Sequence, residues 1–64
     1  MEFGSRLKQV REENKISQED LAELVQVSRQ SVSKWENNEC YPTVEKLLMI
    51  SIKLNVSIDW LFGI

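Results

Sequence analysis

The sequence contains no histidine and a single cysteine among its 64 residues. One cysteine cannot form an internal disulfide, and without histidine the usual zinc ligand sets cannot be assembled. The commonest general base and the Ser-His and Cys-His nucleophile pairs are missing too. We therefore expect no catalytic activity, no metal and no cofactor. Cys40 is most simply interpreted as a small half-buried residue, with a reactive thiol as the alternative.

Long apolar segments are also missing. The longest stretch without a charge runs from Leu47 to Ile52, which is far short of the roughly 20 apolar residues that a bilayer span needs. The N-terminus has no apolar run of the kind found in signal peptides. We therefore predict a cytoplasmic protein with no membrane partner.

The length allows one small domain, which we expect to occupy residues 1–64, because domains usually take roughly 100 to 200 residues. Hydrophobic residues make up 42% and charged residues 28% of the chain, with two glycines and one proline, as in ordinary globular proteins. The net charge is -2. This sign counts against a nucleic-acid partner, since phosphates bind basic surface. The distribution of the charges therefore matters more than their sum.

Apolar residues at spacings of three and four predict five helices, and no segment alternates for long enough to predict a strand. The first helix is expected over about 3–14. Each later helix begins at a residue that commonly caps helix N-termini, and these residues are Ser17, Ser28, Thr43 and Ser57. Asp20 extends the first of these caps to a capping box. Only Gln26 and Val27 separate the second and third helices, so these two helices must cross at a steep angle.

The apolar residues of the second and fourth helices are expected to face a common core. In the second helix they are Leu21, Ala22, Leu24 and Val25. In the fourth helix a broad inner face is expected, formed by Val44, Leu47, Leu48, Ser51, Ile52 and Leu54. The resulting fold class is all-α.

The third helix, from about residue 29 to 37, has one face without acids. Five polar or basic residues fall within an arc of about 140° on a helical wheel, and they are Arg29, Gln30, Ser33, Lys34 and Asn37. Val32, Trp35 and Glu36 are expected on the inward side. A polar face is common on any surface helix, but arginine, glutamine and serine match the donors and acceptors of base edges in a major groove. The start of this helix also protrudes from a tight turn, where a groove can receive it.

Residues 17–37, SQEDLAELVQVSRQSVSKWEN, resemble the helix-turn-helix of the phage repressor and Cro family, often called XRE-type transcriptional regulators. The match includes Ala22 at the helix crossing and a Trp-Glu-Asn ending. FGSRLKQVREE before this segment, and YPTVEKLLMI and NVSIDWLF after it, look like the first, fourth and fifth helices of the family. The chain departs from the family at Lys15, Gln26 and Asn38, where members commonly have glycine to end helices in a left-handed conformation.

The resemblance implies a five-helix, sequence-specific DNA-binding domain of a bacterial or phage-type transcriptional repressor or regulator. Its helix-turn-helix would span about 18–37, and the recognition helix, about 29–37, would lie in the major groove. The implied base-reading residues are Arg29, Gln30, Ser33 and Lys34. The implied phosphate contacts are Gln18, Ser28 and Asn37. The alternatives are a solvated first helical residue for Gln18 and a capping role for Asn37.

The resemblance also implies a structural ion pair between Arg11 and Glu36, and a homodimer that binds a double-stranded DNA operator with two similar half-sites. The expected dimer interface is formed by Trp60, Leu61 and Phe62 in the fifth helix. Alternatively, Trp60 and Leu61 merely close the monomer core. Two other functions stay open at this point. One is a protein-interaction or antitoxin-like module with secondary DNA binding, and the other is a small enzyme.

Overall fold

The computed structural model describes residues 2–64. It has five helices, which are α1 (Glu2–Glu13), α2 (Gln18–Val25), α3 (Arg29–Glu36), α4 (Val44–Leu54) and α5 (Ile58–Phe62). Residues 2–64 contain no strand, and the predicted all-α, five-helix fold is confirmed. Within the same range, no helix combines the length and the apolar character needed to cross a membrane.

The predicted helix starts are confirmed, because each of them supplies an acceptor for a backbone N–H that has no partner within its helix. Ser17, Ser28, Thr43 and Ser57 are extended residues whose hydroxyl groups accept from the N–H three positions on. The capping box is complete, since the Ser17 N–H in turn donates to Oδ2 of Asp20 at 3.0 Å. These hydrogen bonds from the Ser17 N–H and hydroxyl lower the pKa of the Asp20 carboxyl below its ordinary value of 3.8.

The first three helices are followed by residues in the left-handed conformation, at the three positions where the resemblance leads one to expect glycine. Lys15, Gln26 and Asn38 have φ values of 59, 61 and 62°. Asn38 also has a second function, because its Oδ1 accepts from the Gly4 N–H at 3.0 Å. A Cβ atom at Gly4 would collide with the backbone of Glu36, so a glycine there lets α1 pack directly against the end of α3.

The core lies between all five helices. Its buried apolar residues are Phe3, Leu7, Val10, Leu21, Ala22, Val25, Val32, Trp35, Ile50, Leu54 and Leu61. The prediction that Leu24 faces inward is wrong, since this residue is 39% exposed. It lies at the edge of the buried side of α2, about 60° from Leu21 on the helical wheel.

The predicted inner face of α4 is also wrong for three residues. Val44 is 73%, Leu48 51% and Ile52 76% exposed. The helix turns Ile50 and Leu54 into the core instead. Leu48 lies about 160° from Ile50 on the helical wheel, so the two residues cannot both face inward. The outer side of α4 is therefore apolar and open to solvent.

The residues around α5 differ from their predicted environments. Leu61 is completely buried in the core. The guanidinium of Arg6 lies 4.9 Å from the centre of the Trp60 ring and donates to the Trp60 carbonyl at 2.9 Å. Phe62 stacks at 4.9 Å on Phe3. The prediction of a dimer interface is thus wrong for Leu61, which cannot reach a partner, and it stays a prediction for Trp60 and Phe62, which are half-buried.

The interpretation of Cys40 as half-buried is wrong, because this residue is exposed in the connection between α3 and α4. The residue of this connection that packs inward is Pro42. The structure thus anchors the connection by its proline and leaves the thiol at the surface.

We predict that replacing Lys15 with glycine stabilises the protein by about 1 kcal/mol, because glycine adopts a positive φ without the steric cost that a side chain has. The matched control is Lys8→Gly. Lys8 is an exposed lysine in the middle of α1, where glycine should cost about 0.5–1 kcal/mol. Urea titrations followed by circular dichroism measure both changes. Equal destabilisation by the two variants would contradict the prediction.

Asp20 should make the stability of the protein depend on pH. Its pKa is lowered in the folded state, so its contribution is full above the ordinary value of 3.8 and disappears as the pH falls through the folded pKa. We predict that Asp20→Asn is less stable than the parent at pH 7, and that the difference shrinks as the pH is lowered toward 3. Urea midpoints at a series of pH values test this, and a difference that does not change with pH would be the contrary result.

Candidate nucleic-acid interface

The connection between α2 and α3 is as tight as the sequence predicts. α2 ends at Gln26, which is left-handed, and the next N–H, from Val27, returns to the Ala22 carbonyl at 2.9 Å. Ser28 already caps α3. Ala22 itself is buried, and its small side chain allows the two helices to approach closely at their crossing. The start of α3 is thereby held at the surface.

The two sides of α3 differ in the way that the helical wheel predicts. Val32 and Trp35 are 0% and 4% exposed and hold the helix to the core. The opposite side presents Arg29, Gln30 and Lys34 to solvent. We call the outward arc of Arg29, Gln30, Ser33, Lys34 and Asn37 the reading face. Ser33 is half-buried and Asn37 exposed.

The acid at the end of α3 is paired within the protein. Glu36 turns inward, and its carboxylate accepts from Nε of Arg11 at 2.7 Å and from Nη2 at 3.2 Å. The two side chains are 10% and 3% exposed. The predicted ion pair is therefore present, and it is bidentate. Hydrogen bonding to Glu36 raises the pKa of the Arg11 guanidinium above its ordinary value, so the guanidinium stays charged at neutral pH.

Arg11 also fixes the chain that enters α2, because its Nη1 donates to the Ile16 carbonyl at 2.9 Å. The five donors of a guanidinium can serve several acceptors in one plane. One buried arginine thus holds the end of α3 and the connection between α1 and α2 in a fixed relative position.

Gln18 connects this ion pair to the reading face. Its Nε2 donates to Oε1 of Glu36 at 3.0 Å. Its Oε1 accepts from Nη1 of Arg29 at 3.4 Å, a long and weak hydrogen bond. Gln18 is half-buried, so it is not the freely solvated first helical residue of the alternative interpretation. Its amide lies between Glu36 and Arg29, the one arginine of α3.

The other two residues with an expected phosphate contact lie at opposite ends of α3. The Ser28 hydroxyl accepts from the Ser31 N–H at 3.2 Å and lies 3.1 Å from the Ser31 hydroxyl. Asn37 is the C-cap of α3, and its N–H donates to the Ser33 carbonyl at 2.9 Å. This cap uses the backbone, so the exposed Asn37 side chain can still make an external contact. The phosphate contacts of Gln18, Ser28 and Asn37 stay predictions.

Two contributions to the site were not found from the sequence. One is the bridging position of Gln18, and the other is the hydrogen bond from Gly4 to Asn38 that fixes the end of α3. The left-handed conformation of Asn38 was expected, but nothing in the local sequence indicates where its side chain points. Both contacts join residues that are far apart in the chain, and only the packed fold brings these residues together.

A helix-turn-helix family model matches residues 7–61 of the chain. The chain belongs to this helix-turn-helix family. The predicted resemblance to XRE-type regulators and phage repressors is confirmed by this match and by the relatives of the domain. This helix-turn-helix chain is 46% identical over 63 residues to the HTH-type transcriptional activator BcrR of Enterococcus faecalis, covering 98% of this chain and 31% of the activator.

The helix-turn-helix chain is also 40% identical over 59 residues to repressor protein C2 of Salmonella phage P22, covering 92% of this chain and 27% of that repressor. It therefore spans less than a third of the length of either relative.

Solved structures have the same fold. The P22 c2 repressor in complex with a synthetic operator superposes with a TM-score of 0.90 at 38% identity, over 95% of this chain and 92% of that chain. The N-terminal DNA-binding domain of SinR from Bacillus subtilis superposes with a TM-score of 0.85 at 33% identity, over 97% and 91% of the two chains. The arrangement of the five helices in this helix-turn-helix chain is therefore that of phage repressor DNA-binding domains.

We predict that Glu36→Ala destabilises the protein by about 3–5 kcal/mol, because it leaves the buried charge of Arg11 without its partner. This loss is comparable to the whole stability of a domain of this size, at about 0.05–0.15 kcal/mol per residue. The control is the double variant Arg11→Met, Glu36→Leu, which removes both charges and should recover most of the loss. Thermal melts monitored by circular dichroism test both. A Glu36→Ala variant that melts within a degree of the parent would contradict the prediction.

Proposed function

We propose that the chain is a sequence-specific DNA-binding domain of a transcriptional regulator, and that α3 reads bases in the major groove of double-stranded DNA. The observation that carries the proposal is the reading face itself. Four of its five residues are exposed, it contains two basic residues and no acid, and it lies on the second helix of a helix-turn-helix. Family members with this fold are named as transcriptional activators and repressors, and one of them has been solved with an operator.

The residue types on the reading face match the chemistry of base edges. Arginine and lysine donate to O6 and N7 of guanine, and glutamine can pair with N6 and N7 of adenine. Arg29 and Gln30 are in the first turn of α3 and are exposed. The Arg29 guanidinium also donates a long and weak hydrogen bond to Gln18, which leaves its other donors free for DNA.

Contacts to the DNA backbone would flank the base contacts. Gln18 and Ser28 lie at the starts of α2 and α3, where backbone N–H groups and helix dipoles favour phosphates. Asn37 lies at the other end of α3. Contacts of this kind set the position of the protein on the duplex but carry no sequence information.

A single copy has few charges with which to neutralise phosphates. The chain has eight basic and ten acidic residues, and only Arg29 and Lys34 are basic within α3. We therefore propose that a homodimer binds two similar half-sites about one helical turn apart. We also propose a cytoplasmic location, where a transcriptional regulator would meet its operator. Each copy alone should bind weakly and with a modest dependence on salt.

A protein-interaction module is the rival function. It would be favoured if the reading face were covered by another part of the protein. Within residues 2–64, however, Arg29, Gln30 and Lys34 are all exposed. The proposal of DNA binding is therefore the one that the described residues support.

Selection of binding sites from a random duplex library, with the purified 64-residue chain at low salt, tests the proposal. We expect enrichment of one motif in two symmetric copies. Failure to enrich any sequence would favour the interaction module.

We predict that Gln30→Ala costs about 1–3 kcal/mol of binding free energy at the selected site and little on random DNA. The matched control is Gln9→Ala, the same change at an exposed glutamine on α1, outside the reading face. Fluorescence anisotropy with the selected duplex and with a scrambled duplex measures both variants. Equal losses on the two duplexes would show that Gln30 does not read a base.

A further inference from the structure

The exposed side of α4 carries a row of three aliphatic side chains. Val44, Leu48 and Ile52 are spaced four residues apart, and each of them is more than half exposed. We call these three residues the α4 stripe. Single exposed apolar residues are ordinary, but a contiguous row on one helix face usually marks a contact surface. The core does not use the stripe, since α4 reaches it through Ile50 and Leu54.

The α4 stripe is symmetric about its own centre. On the helical wheel Val44 and Ile52 lie about 40° to either side of Leu48, and both are β-branched. A dimer with two-fold symmetry requires such a surface, because the same patch meets itself with reversed direction. If two antiparallel copies of α4 pair at the stripe, Leu48 meets Leu48 of the second copy, and each Val44 meets an Ile52.

The charges beside the stripe fit the same arrangement. Glu45 and Lys53 lie about 60° and 140° from Leu48 on the same side of the helix, and both are exposed. In the antiparallel pair, Glu45 of each copy faces the end of α4 that carries Lys53 in the other copy. Two opposite charges thus lie on the same side of the contact, whereas in a parallel pair the two Glu45 side chains would lie on opposite sides of it.

The size of the stripe limits the strength of this contact. A standard protein interface buries about 800 Å² on each partner, which is roughly a fifth of the 4080 Å² surface of this chain. One helix face with three aliphatic side chains covers less than that. The free dimer is therefore weak, and binding to neighbouring half-sites would strengthen it by raising the effective concentration of the second copy.

We propose that the α4 stripe is the surface through which two copies of this chain pair, antiparallel and with Leu48 on the two-fold axis. The regulatory role of this dimer rests on the proposed DNA-binding function, but the pairing itself does not. The proposal places the contact on α4 rather than on the fifth helix.

Sedimentation at concentrations from about 10 μM to 1 mM tests the surface. We expect the parent to show a concentration-dependent dimer, and Leu48→Glu to raise the dimer Kd by more than tenfold, because two like charges then meet on the axis. Glutamate is a good helix former, so circular dichroism should be unchanged. The matched control is Ile64→Glu, which adds the same charge at an 88% exposed residue beyond α5 and should leave the dimer intact.

Charge reversals test the antiparallel direction. Glu45→Lys alone and Lys53→Glu alone should both raise the dimer Kd. The expected increase is roughly two- to fivefold for every exposed ion pair that is lost. The double variant should recover the affinity of the parent, since it exchanges the two signs. No recovery in the double variant would overturn the antiparallel arrangement.

A cross-link gives a direct measure of position. In a Cys40→Ser background, Leu48→Cys should form a disulfide between copies on mild oxidation, since two residues on the axis of a helix pair come within the 4.4–6.8 Å Cα separation that a disulfide needs. Ile64→Cys in the same background is the control. Preferential cross-linking through position 64, or a Leu48→Glu variant that dimerises as the parent does, would overturn the proposal, as would a parent that stays monomeric at 1 mM.

Binding to a duplex with one half-site separates this proposal from the proposed function. Leu48→Glu should bind a single half-site as tightly as the parent and lose at least tenfold in affinity for a duplex with two half-sites. If neither protein binds DNA while the sedimentation and cross-linking results hold, the dimer stands and the DNA-binding function fails. If both bind DNA and Leu48→Glu loses nothing on two half-sites, the α4 contact is not used on DNA.

Discussion

The buried ion pair between Arg11 and Glu36 is the interaction on which the arrangement of the recognition helix depends. It joins α1 to the last residue of α3, and the same arginine holds the Ile16 carbonyl ahead of α2. Burying two charges is costly unless their hydrogen bonds are complete. Here the pair is bidentate, Gln18 satisfies the carboxylate further, and residues 2–64 contain no buried side-chain polar atom without a partner. The position of α3 is thereby set by directional bonds as well as by packing, which is nondirectional.

Local features of the fold could be predicted from the sequence because they depend on neighbouring residues. Serine and threonine caps and the capping box at Ser17 each need only a few residues in a row, whereas the left-handed ends of α1, α2 and α3 were expected from the family resemblance. The orientation of α4, in contrast, does not depend on neighbouring residues alone. Its apolar residues form two rows on opposite sides, and a hydrophobic period of three and four fits either row. Which row is buried, that of Ile50 or that of Leu48, is decided by the shape of the other helices.

The candidate site likewise has features that the sequence predicts and features that only the packed fold determines. The acid-free arc of α3 follows from helical geometry, so its exposed residues were found from the sequence, and Val32 and Trp35 were correctly placed on the buried side. The link from Glu36 through Gln18 to Arg29 was not found, because it depends on how a side-chain amide of α2 is oriented between two charged groups at opposite ends of α3. Spacing in the sequence contains no information about that orientation.

The hydrogen bond between Gly4 and Asn38 has a consequence for motion in the protein. The first N–H groups of a helix ordinarily lack a partner in their own helix, and helix ends fray on fast timescales. In this protein the Gly4 amide is held by the side chain of a residue that ends α3, so the first turn of α1 releases this amide only when the Asn38 side chain moves as well. Amide hydrogen exchange at Gly4 therefore reports motion at the end of α3, and a DNA contact that rigidifies Asn37 and its neighbours would slow exchange at a residue of α1.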